Sequence, residues 1–548
     1  MVWRHGWASR LPKLRRLQVK QSDYILASVE ALVLRNDLCE LWQPASRFAM
    51  IELLTTDEMA EADRLAMAGG IPGIDLMERA GRAVADATAK MKRQRVIVVA
   101  GPGNNGGDGF VAARCLSEDG FHVRLCFIGE AKALKGDAAV AAARWRGAIE
   151  EASPAALAGG DVIIDALFGA GLRRTVEGLP RLMIGAMNAS DIPVVAVDLP
   201  SGVNGTSGAV MGTAVNATRT VTFFRRKTGH VLLPGRLHCG SVEVTDIGIP
   251  ARVLEKIRPR TFADSPELWA RSCPRPTLPG HKYSRGHAVI VSGGPSTTGA
   301  ARLAARGALR AGAGLATIAS PREALVINAA QSVAVMVRPV DGAEELGAFL
   351  SDKRRNAVVL GPGGGVGAGM REQVFAGLGS QAAVVLDADA LTSFSDQPDS
   401  LVSAIGRRSN RNIVLTPHEG EFSRLFKDIY KNTQDNSKVE KTRLAAQYCA
   451  AIVVYKGADT VIAAPDGRAA IADNAPPSLA TAGSGDVLSG IIAGLMAQGM
   501  QSFEAACAGV WLHGEAAREF GPGLISEDLP EMLPRVYRRL FSILGADN

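Results

Sequence analysis

A glycine-rich stretch, GPGNNGGDG at residues 101–109, directly follows the apolar run 96–100. A strand that runs into such a turn commonly binds a nucleotide pyrophosphate, because backbone N–H groups and the next helix N-terminus attract the anion. The spacing also matches the dinucleotide-binding pattern G-x-G-x-x-G. Asp108 disagrees with that interpretation, since its carboxylate would repel a pyrophosphate, although Glu130 could still bind a ribose. The loop indicates a nucleotide site without deciding whether the nucleotide is cofactor or substrate.

Two further loops of the first half, DALFGAGLRRT and DLPSGVNG, carry oxygen-bearing side chains after apolar runs. Open α/β sheets bind their ligands at such strand ends. Asn105, Asp165 and Ser201 offer the oxygen ligands that hard cations require. Asp198, three residues before Ser201, could face the same cavity as an acid or a base. Each carboxylate taken alone could equally cap a helix.

In the second half, GSGD at 483–486 precedes a helical pattern. Backbone N–H groups there can stabilise charge on a phosphate while Asp486 accepts a proton from an attacking hydroxyl. The alternative is an acid that only favours the helix dipole. Lys456, in KGADT at another strand end, can contact a phosphate, and His418 is either a capping or core histidine or part of a polar pocket. The two carboxylates of DADAL (387–391) could bind a ligand or cap the next helix.

Apolar runs alternate with helical patterns in both halves, and this alternation predicts the elements that position these loops. The first helix is expected to start at a capping box, Thr55 to Glu58, and to end at Gly69. Strands are expected at 96–100, 122–128, 161–164, 194–198 and 220–224, and then within 287–294, 314–320, 356–363, 383–391, 412–421 and 451–463. The predicted class is α/β, with an N-terminal Rossmann-like, doubly wound α/β/α sandwich followed by a second α/β domain.

The composition limits the class of protein. A chain of 548 residues is too long for one hydrophobic core, and 47% hydrophobic with 21% charged residues is typical of a soluble globular protein. The net charge of +6 is small for this length, so no nucleic-acid partner is expected. Seven dispersed cysteines without zinc-binding spacing predict reduced thiols and a cytoplasmic location. No apolar run reaches the length of a membrane span, so no membrane partner is expected.

The loops GPGNNGGDG, DALFGAGL and DLPSGVNG, in this order after LMERAG, resemble the NAD(P)H-hydrate epimerase domain over about residues 50–255. The resemblance implies that the nucleotide is the substrate: the domain would interconvert the R and S forms of hydrated NADH and NADPH (NADHX and NADPHX) at C6 of the reduced ring. Asp198 would contact the substrate, and we expect it to transfer the proton. Asn105, Asp165 and Ser201 would bind a potassium ion. The other implied substrate contacts are Asn104, Asn105, Gly106, Gly107, Asp108, Gly169, Ala170, Gly171, Leu172, Arg173, Arg174 and Thr175.

The motifs HKYSRGHAVIVSGG, LDADAL, LTPHEGEF, KGADT and ATAGSGDVLSGIIAG resemble the ribokinase-like, ADP-dependent NAD(P)H-hydrate dehydratase over about residues 275–545. The resemblance implies that the S hydrate is dehydrated to NADH or NADPH with ADP as phosphoryl donor, accompanied by Mg²⁺, giving AMP and phosphate. Asp486 would be the catalytic base. The substrate would contact Ala300, Gly363, His418 and Asp486, and the adenine nucleotide would contact Lys456, Gly457, Ala458, Asp459, Thr460 and Gly485. The loop GPGGG at 361–365 departs from the family, which has an apolar residue there.

These resemblances divide the chain into an extension (1–49), an epimerase domain (50–255), a Pro-rich linker (256–274) and a dehydratase domain (275–545). The basic extension is expected to be dispensable, and the protein to be a homo-oligomer. Two alternatives stay open at this point. The second half could phosphorylate a small alcohol such as a vitamin precursor, and the first half could be a non-catalytic nucleotide-binding module.

Overall fold

A parallel seven-stranded sheet forms the centre of the first half. The computed structural model describes residues 51–276, 278–433 and 437–545, so the extension 1–49 lies outside the described residues. The strands are β1 Arg95–Ala100, β2 His122–Phe127, β3 Ile149–Glu151, β4 Val162–Ala166, β5 Val194–Val197, β6 Arg219–Phe223 and β7 Ser241–Thr245. Their order, β3-β2-β1-β4-β5-β6-β7, reverses direction at β1 as in doubly wound sheets. The Rossmann-like fold is confirmed, and β3 and β7 are additions to the predicted strands.

Helices cover both faces of this sheet. They are α1 Thr56–Ala68, α2 Gly73–Ala89, α3 Asn104–Glu118, α4 Gly136–Arg144, α5 Gly178–Ala189, α6 Gly235–His238 and α7 Val253–Ile257. Helix α1 starts at the predicted capping box, with Thr55 accepting from Glu58 N and Glu58 accepting from Thr55 N, and Gly69 caps its end. Alternate side chains of β1 enter different cores, with Val98 in one and Ile97 in the other. A sheet that is buried on both sides needs such continuous apolar strands.

The second half is built on a ten-stranded sheet. Its strands are β8 Thr261–Ala263, β9 His287–Val291, β10 Leu315–Ser320, β11 Met336–Pro339, β12 Ala357–Leu360, β13 Ala383–Leu386, β14 Ile413–Leu415, β15 Ile452–Tyr455, β16 Val461–Ala463 and β17 Ala469–Ile471. Their order is β11-β10-β9-β12-β13-β14-β15-β16-β17-β8. Only the β15–β16 and β16–β17 pairs of this sheet are antiparallel. The predicted α/β class is therefore confirmed for this half as well.

The helices of the second half pack on both faces of this sheet and make two hydrophobic cores. They are α8 Pro266–Trp269, α9 Thr298–Arg310, α10 Leu325–Ala330, α11 Gly342–Leu350, α12 Ala368–Gly379, α13 Asp389–Thr392, α14 Pro398–Gly406, α15 Glu419–Leu425, α16 Lys427–Asn432, α17 Lys438–Cys449, α18 Ser484–Ala497, α19 Ser502–Phe520 and α20 Asp528–Ile543. In the described part of the chain, no helix is both long and apolar enough to cross a membrane. The six cysteines there are buried and free.

One extended segment, residues 51–54, is hydrogen-bonded to both halves. On one side, Leu53 N donates to Thr261 O at 2.9 Å, and this bond attaches the segment to β8. On the other side, Leu54 N donates to Arg226 O at 3.0 Å in the first half. Strand β8 lies within 256–274, the stretch predicted as a linker, and it pairs in parallel with β17. That stretch and the segment 51–54 thus complete the edge of the second sheet.

Candidate functional site

A cavity of about 780 Å³ opens beside the carboxyl ends of β1, β4 and β5. It is walled by α1 and α2, by the first turn of α3, and by the loops that follow the strands. Ten of the predicted substrate contacts line it: Asn104, Asn105, Asp108, Gly169, Ala170, Gly171, Leu172, Arg173, Arg174 and Asp198. Gly106, Gly107 and Thr175 are not among its lining residues. The structure thus brings loops from three strand ends to one place, as their positions predicted.

Close packing explains why the first loop is rich in glycine. Helix α3 begins at Asn104, and a Cβ on Gly106 would overlap the carbonyl oxygen of Gly101. Gly106 therefore packs against the backbone of Gly101, whereas Asn104 and Asp108 line the cavity. The N-terminus of a helix attracts negative charge. The cavity can accordingly receive an anionic ligand at the start of α3.

Asp198 is held by a buried ion pair. Lys227, whose side chain is 1% exposed, donates from Nζ to Asp198 Oδ1 at 2.6 Å. Thr222 Oγ1 donates to the same oxygen at 2.9 Å, and Ala170 N donates to Oδ2 at 3.2 Å. Burial by itself raises the pKa of Asp198, but the Lys227 ammonium outweighs this effect and holds the pKa below its ordinary value. Asp198 is therefore ionised at neutral pH.

A neutral histidine, His230, is hydrogen-bonded to the backbone of both members of this ion pair. His230 Nε2 lies 2.7 Å from the carbonyl oxygen of Asp198, and Lys227 N donates to His230 Nδ1 at 2.9 Å. Because a carbonyl only accepts, the proton of the ring is on Nε2. Burial, together with the nearby Lys227 charge, lowers the pKa of His230 to about 4. The backbone of Asp198, which has a left-handed φ of 64°, is thereby fixed.

Three further carboxyl groups line the cavity, Asp63 from α1, Asp108 from α3 and Asp137 from α4. Burial raises the pKa of Asp63 to about 6, and the charge of Asp198 adds to the effect while Lys227 opposes it. Burial likewise raises the pKa of Asp108 well above its ordinary value, with Asp198 and Asp63 adding to it. The cavity therefore contains one carboxylate that stays ionised and two carboxyl groups that hold protons more readily.

Of the three predicted cation ligands, Asn105 lines this cavity, whereas Asp165 and Ser201 are buried and are not among its lining residues. Asp165 is fully buried, and Ser201 donates to it from Oγ at 2.6 Å and from N at 2.8 Å. Burial raises the pKa of Asp165 to about 6, although the Ser201 hydrogen bonds oppose the effect. The Asn105 amide lies against Gly169, and its Nδ2 is buried without a partner in the structure. Within the described residues Asp165 has no ion-pair partner, so a hard cation at this position would compensate the charge of its buried carboxylate.

A second constellation lies at the carboxyl ends of β13, β14 and β15. Lys456 Nζ donates to the buried Asp387 at 2.7 Å. Asp486, in the first turn of α18, has no side-chain hydrogen bond or ion pair within the described residues. Burial raises the pKa of Asp486 to about 6, and Asp387 adds to the effect, whereas Lys456 opposes it. A Cβ on Gly485 would lie 3.4 Å from Lys456 Nζ, so the start of α18 and the lysine are neighbours.

The structure explains both carboxylates of DADAL. Asp387 pairs with Lys456, and Asp389 Oδ2 accepts from Gly365 N at 2.9 Å, which fixes the GPGGG loop. Gly363 in that loop has a φ of 62°, and a Cβ built on it would lie 3.2 Å from Ala300 Cβ. Ala300 and Gly363, two predicted substrate contacts, are therefore adjacent.

The KGADT loop is a tight turn that is also hydrogen-bonded to the first half, where Arg236 donates to Ala458 O at 3.1 Å. Thr460 Oγ1 accepts from Gly457 N at 3.1 Å and closes the turn. Asp459 Oδ1 accepts from Lys438 at 2.6 Å, and its Oδ2 accepts from Leu233 N of the first half at 2.9 Å. Both oxygens of Asp459 are thus engaged in holding the loop, while Gly457 and Ala458 at its tip are exposed residues.

His418 is the N-cap of helix α15. Its Nδ1 accepts from Gly420 N at 3.0 Å and from Glu421 N at 3.2 Å, and its side chain is 56% exposed. His418 therefore caps the helix, which is one of the roles that the sequence left open. Because Lys456 N donates to Pro417 O at 2.9 Å, His418 also lies next to the Lys456 strand end.

Sequence reasoning missed Lys227, His230 and Asp63. The first two lie in RRKTGH directly after β6, and a lysine that follows an apolar strand is a weak signal for a strand-end site. Asp63 lies mid-helix in a pattern that looks amphipathic, and nothing near it in sequence indicates a ligand.

Comparisons with known proteins find matches to both halves of the chain. Residues 73–229 match the family described as YjeF-related protein N-terminus, and residues 288–533 match the family described as NAD(P)H-hydrate dehydratase. The bifunctional NAD(P)H-hydrate repair enzyme Nnr of Moorella thermoacetica is 36% identical over 528 residues, covering 89% of this chain and 97% of the relative. The enzyme of the same name from Escherichia coli is 33% identical and covers 85% of this chain and 90% of the relative.

Among solved structures, an ADP/ATP-dependent NAD(P)H-hydrate dehydratase from Bacillus subtilis, co-crystallised with ATP and Mg²⁺, is 26% identical. The match covers 51% of this chain and 98% of that chain, with a TM-score of 0.44. The relatives at 33–36% identity extend across both halves and nearly their own full length. The chain belongs to the family of bifunctional NAD(P)H-hydrate repair enzymes.

Proposed function

We propose that this protein repairs hydrated NADH and NADPH with two activities. The first half epimerises the R and S hydrates, and the second half dehydrates the S hydrate with ADP as phosphoryl donor, giving AMP and phosphate. The observation that carries the proposal is the presence of two polar constellations, one at each sheet, in a chain whose relatives are named bifunctional NAD(P)H-hydrate repair enzymes. The homo-oligomer and the cytoplasmic location stay predictions.

The first cavity suits an isomerase that moves protons without redox chemistry. It combines Asp198, whose pKa is lowered, with Asp63 and Asp108, whose pKa values are raised. Carboxyl groups with pKa values shifted in opposite directions can serve as the base and the acid of one reaction. Asn104, Arg173 and Arg174 line the same cavity and offer polar contacts to a dinucleotide. We propose that Asp198 contacts the substrate and takes part in proton transfer.

The second constellation suits phosphoryl transfer. We propose that Asp486 accepts the proton of the substrate hydroxyl, and that N–H groups at the start of α18 stabilise charge on the phosphate. We also propose that the exposed residues Gly457 and Ala458 contact the nucleotide. Mg²⁺, when bound with the nucleotide, would screen the phosphate charge. Asp387, which lies beside Gly485 and Lys456, is an oxygen ligand of the type that Mg²⁺ prefers.

The test is an incubation of the purified chain with separated R and S hydrates, with ADP and with ATP. We expect the S hydrate to regain the absorbance of the reduced nicotinamide at once, and the R hydrate to follow through epimerisation. A stable phosphorylated product in place of restored NADH would instead identify a small-molecule kinase. Failure of the R hydrate to react while the S hydrate does would reduce the first half to a nucleotide-binding module.

Potassium is expected to stabilise the chain through Asp165. We propose that Asn105, Asp165 and Ser201 bind K⁺, so KCl should raise the melting temperature more than choline chloride at equal ionic strength, because a ligand that binds only the folded state stabilises it. Asp165→Asn should abolish this difference. Asp161→Asn is the matched control, since Asp161 is a partly buried carboxylate that pairs with Arg95 just before the same strand. An equal potassium response in Asp165→Asn and the wild type would contradict the assignment.

A further inference from the structure

We propose that Asp63 is a further catalytic residue of the first cavity, the acid that protonates the departing hydroxyl group at C6 of the hydrate. The proposal rests on the epimerase function proposed above. It adds a role for helix α1, none of whose residues was among the predicted substrate contacts.

The position of Asp63 is unusual for a structural carboxylate. It lies in the middle of α1, lines the cavity, and makes no side-chain hydrogen bond or ion pair within the described residues. The other acids of the helix all have partners: Glu58 caps the helix, Glu61 pairs with Arg64 at 2.6 Å, and Asp57 pairs with Arg173. A partly buried carboxyl group without a partner costs folding free energy, so it needs another explanation. A ligand in the cavity provides one.

The charges around the cavity favour the protonated form of Asp63. The acids that line it are Asp63, Asp108, Asp137 and Asp198, and the cations that line it are Arg173, Arg174 and Lys227. Lys227 is already bound to Asp198, and Arg173 to Asp57. Burial and the Asp198 charge raise the pKa of Asp63 to about 6 against the opposing effect of Lys227. Asp63 therefore holds a proton more readily than Asp198, as a general acid must relative to the general base of the same reaction.

Epimerisation at C6 can use this pair. Asp63 gives its proton to the C6 hydroxyl oxygen, the C6–O bond breaks, and water leaves while the electron pair of the neighbouring ring nitrogen forms a C=N bond. Water then adds to the opposite face of C6, and its released proton goes to the ionised Asp198. Proton exchange with solvent returns Asp63 to the acid form and Asp198 to the carboxylate. No oxidant, reductant or further reactant is consumed.

The test follows conversion of the pure R hydrate to the S hydrate by chromatography, without ADP, in full-length wild type, Asp63→Asn and Glu61→Gln. Uncatalysed epimerisation is subtracted. We expect Asp63→Asn to lose about 10²- to 10⁴-fold in rate, as for a general acid. Glu61→Gln removes a carboxylate from the outer face of the same helix and should leave the rate unchanged. Both variants should dehydrate the S hydrate with ADP at the wild-type rate, because that site lies in the second half. A circular dichroism spectrum equal to that of the wild type reports an intact fold.

A pH profile separates a catalytic role from a structural one. A general acid acts in its protonated form, so the wild-type rate should fall as pH rises through about 6, the pKa of Asp63. In Asp63→Asn the residual rate should lose this dependence, and Asp63→Glu should regain it in part.

Two results would overturn the proposal. One is an Asp63→Asn variant that keeps most of the wild-type rate, and the other is a slow variant whose pH profile equals that of the wild type. If Asp63→Asn fails to fold, the pH profiles of the wild type and of Asp63→Glu test the proposal. A wild-type rate that does not fall as pH rises through about 6 would then overturn it. If the wild type itself does not convert the R hydrate, the epimerase function fails, and the role of Asp63 fails with it.

Discussion

Asp486→Asn is expected to slow dehydration of the S hydrate by about 10²- to 10⁴-fold, because the reaction loses its general base. The carboxylate is half-buried and unpartnered at the start of α18, next to Gly485 and the Lys456 ammonium. Asparagine has nearly the same shape, so α18 should still begin at Ser484 and ADP should still bind. Turnover of the S hydrate and calorimetric titration with ADP measure the two quantities separately.

The pH dependence gives an independent check on Asp486. A general base acts when ionised, so wild-type dehydration should rise with pH through about 6, the pKa of Asp486, and level off above it. Asp466→Asn is the matched control, since that carboxylate is exposed and, among the described residues, forms an ion pair only with Arg468. Retention of most of the dehydration rate by Asp486→Asn would mean that Asp486 only favours the helix start.

Asp198→Asn is expected to reduce R-to-S conversion by about 10²-fold or more while dehydration of the S hydrate continues. The two sites belong to different sheets and share no residue, so their defects should be nearly independent. Asparagine tolerates the left-handed φ of 64° at this position, so the backbone should persist. Chromatographic separation of the two hydrates measures the loss.

The same substitution leaves Lys227 buried without its partner. Breaking a buried ion pair costs about 3–5 kcal/mol, so the melting temperature should fall. The double variant Asp198→Asn with Lys227→Met removes both charges and should recover much of that stability. If epimerisation returned with stability in the double variant, Asp198 would be a structural residue, and its proton-transfer role would be wrong.

Much of the fold follows from the sequence because the strands are buried on both faces. Runs such as 96–100 and 383–386 are continuously apolar, and this pattern can be recognised in the sequence without knowing which strands pair with them. Strand β3, Ile149–Glu151, is short, charged and half-exposed, so its sequence carries no comparable signal. Strand β8 lies among prolines that favour a linker, and its pairing with β17 depends on a residue separation of about two hundred positions.

The candidate sites were predictable to the extent that they lie in contiguous loops. Asp165 and Ser201 carry their chemistry in motifs, and the structure places them in contact. The protonation of Asp198 could not be predicted, because it depends on Lys227, which only the fold brings near. For His418, the neighbouring residues in the sequence were misleading. Its acidic neighbours suggested a polar pocket, but one of them, Glu421, completes a helix cap with it.

The segment 51–54 has a consequence for dividing this enzyme into parts. A fragment that starts at residue 275 lacks both β8 and the segment that covers it, so the edge of β17 would present unpaired N–H and C=O groups. Exposed sheet edges of this kind are templates for aggregation. The dehydratase half of this chain is therefore better isolated with its preceding strand, from about residue 258 onward, and even then one edge would lack the cover that the beginning of the other half supplies.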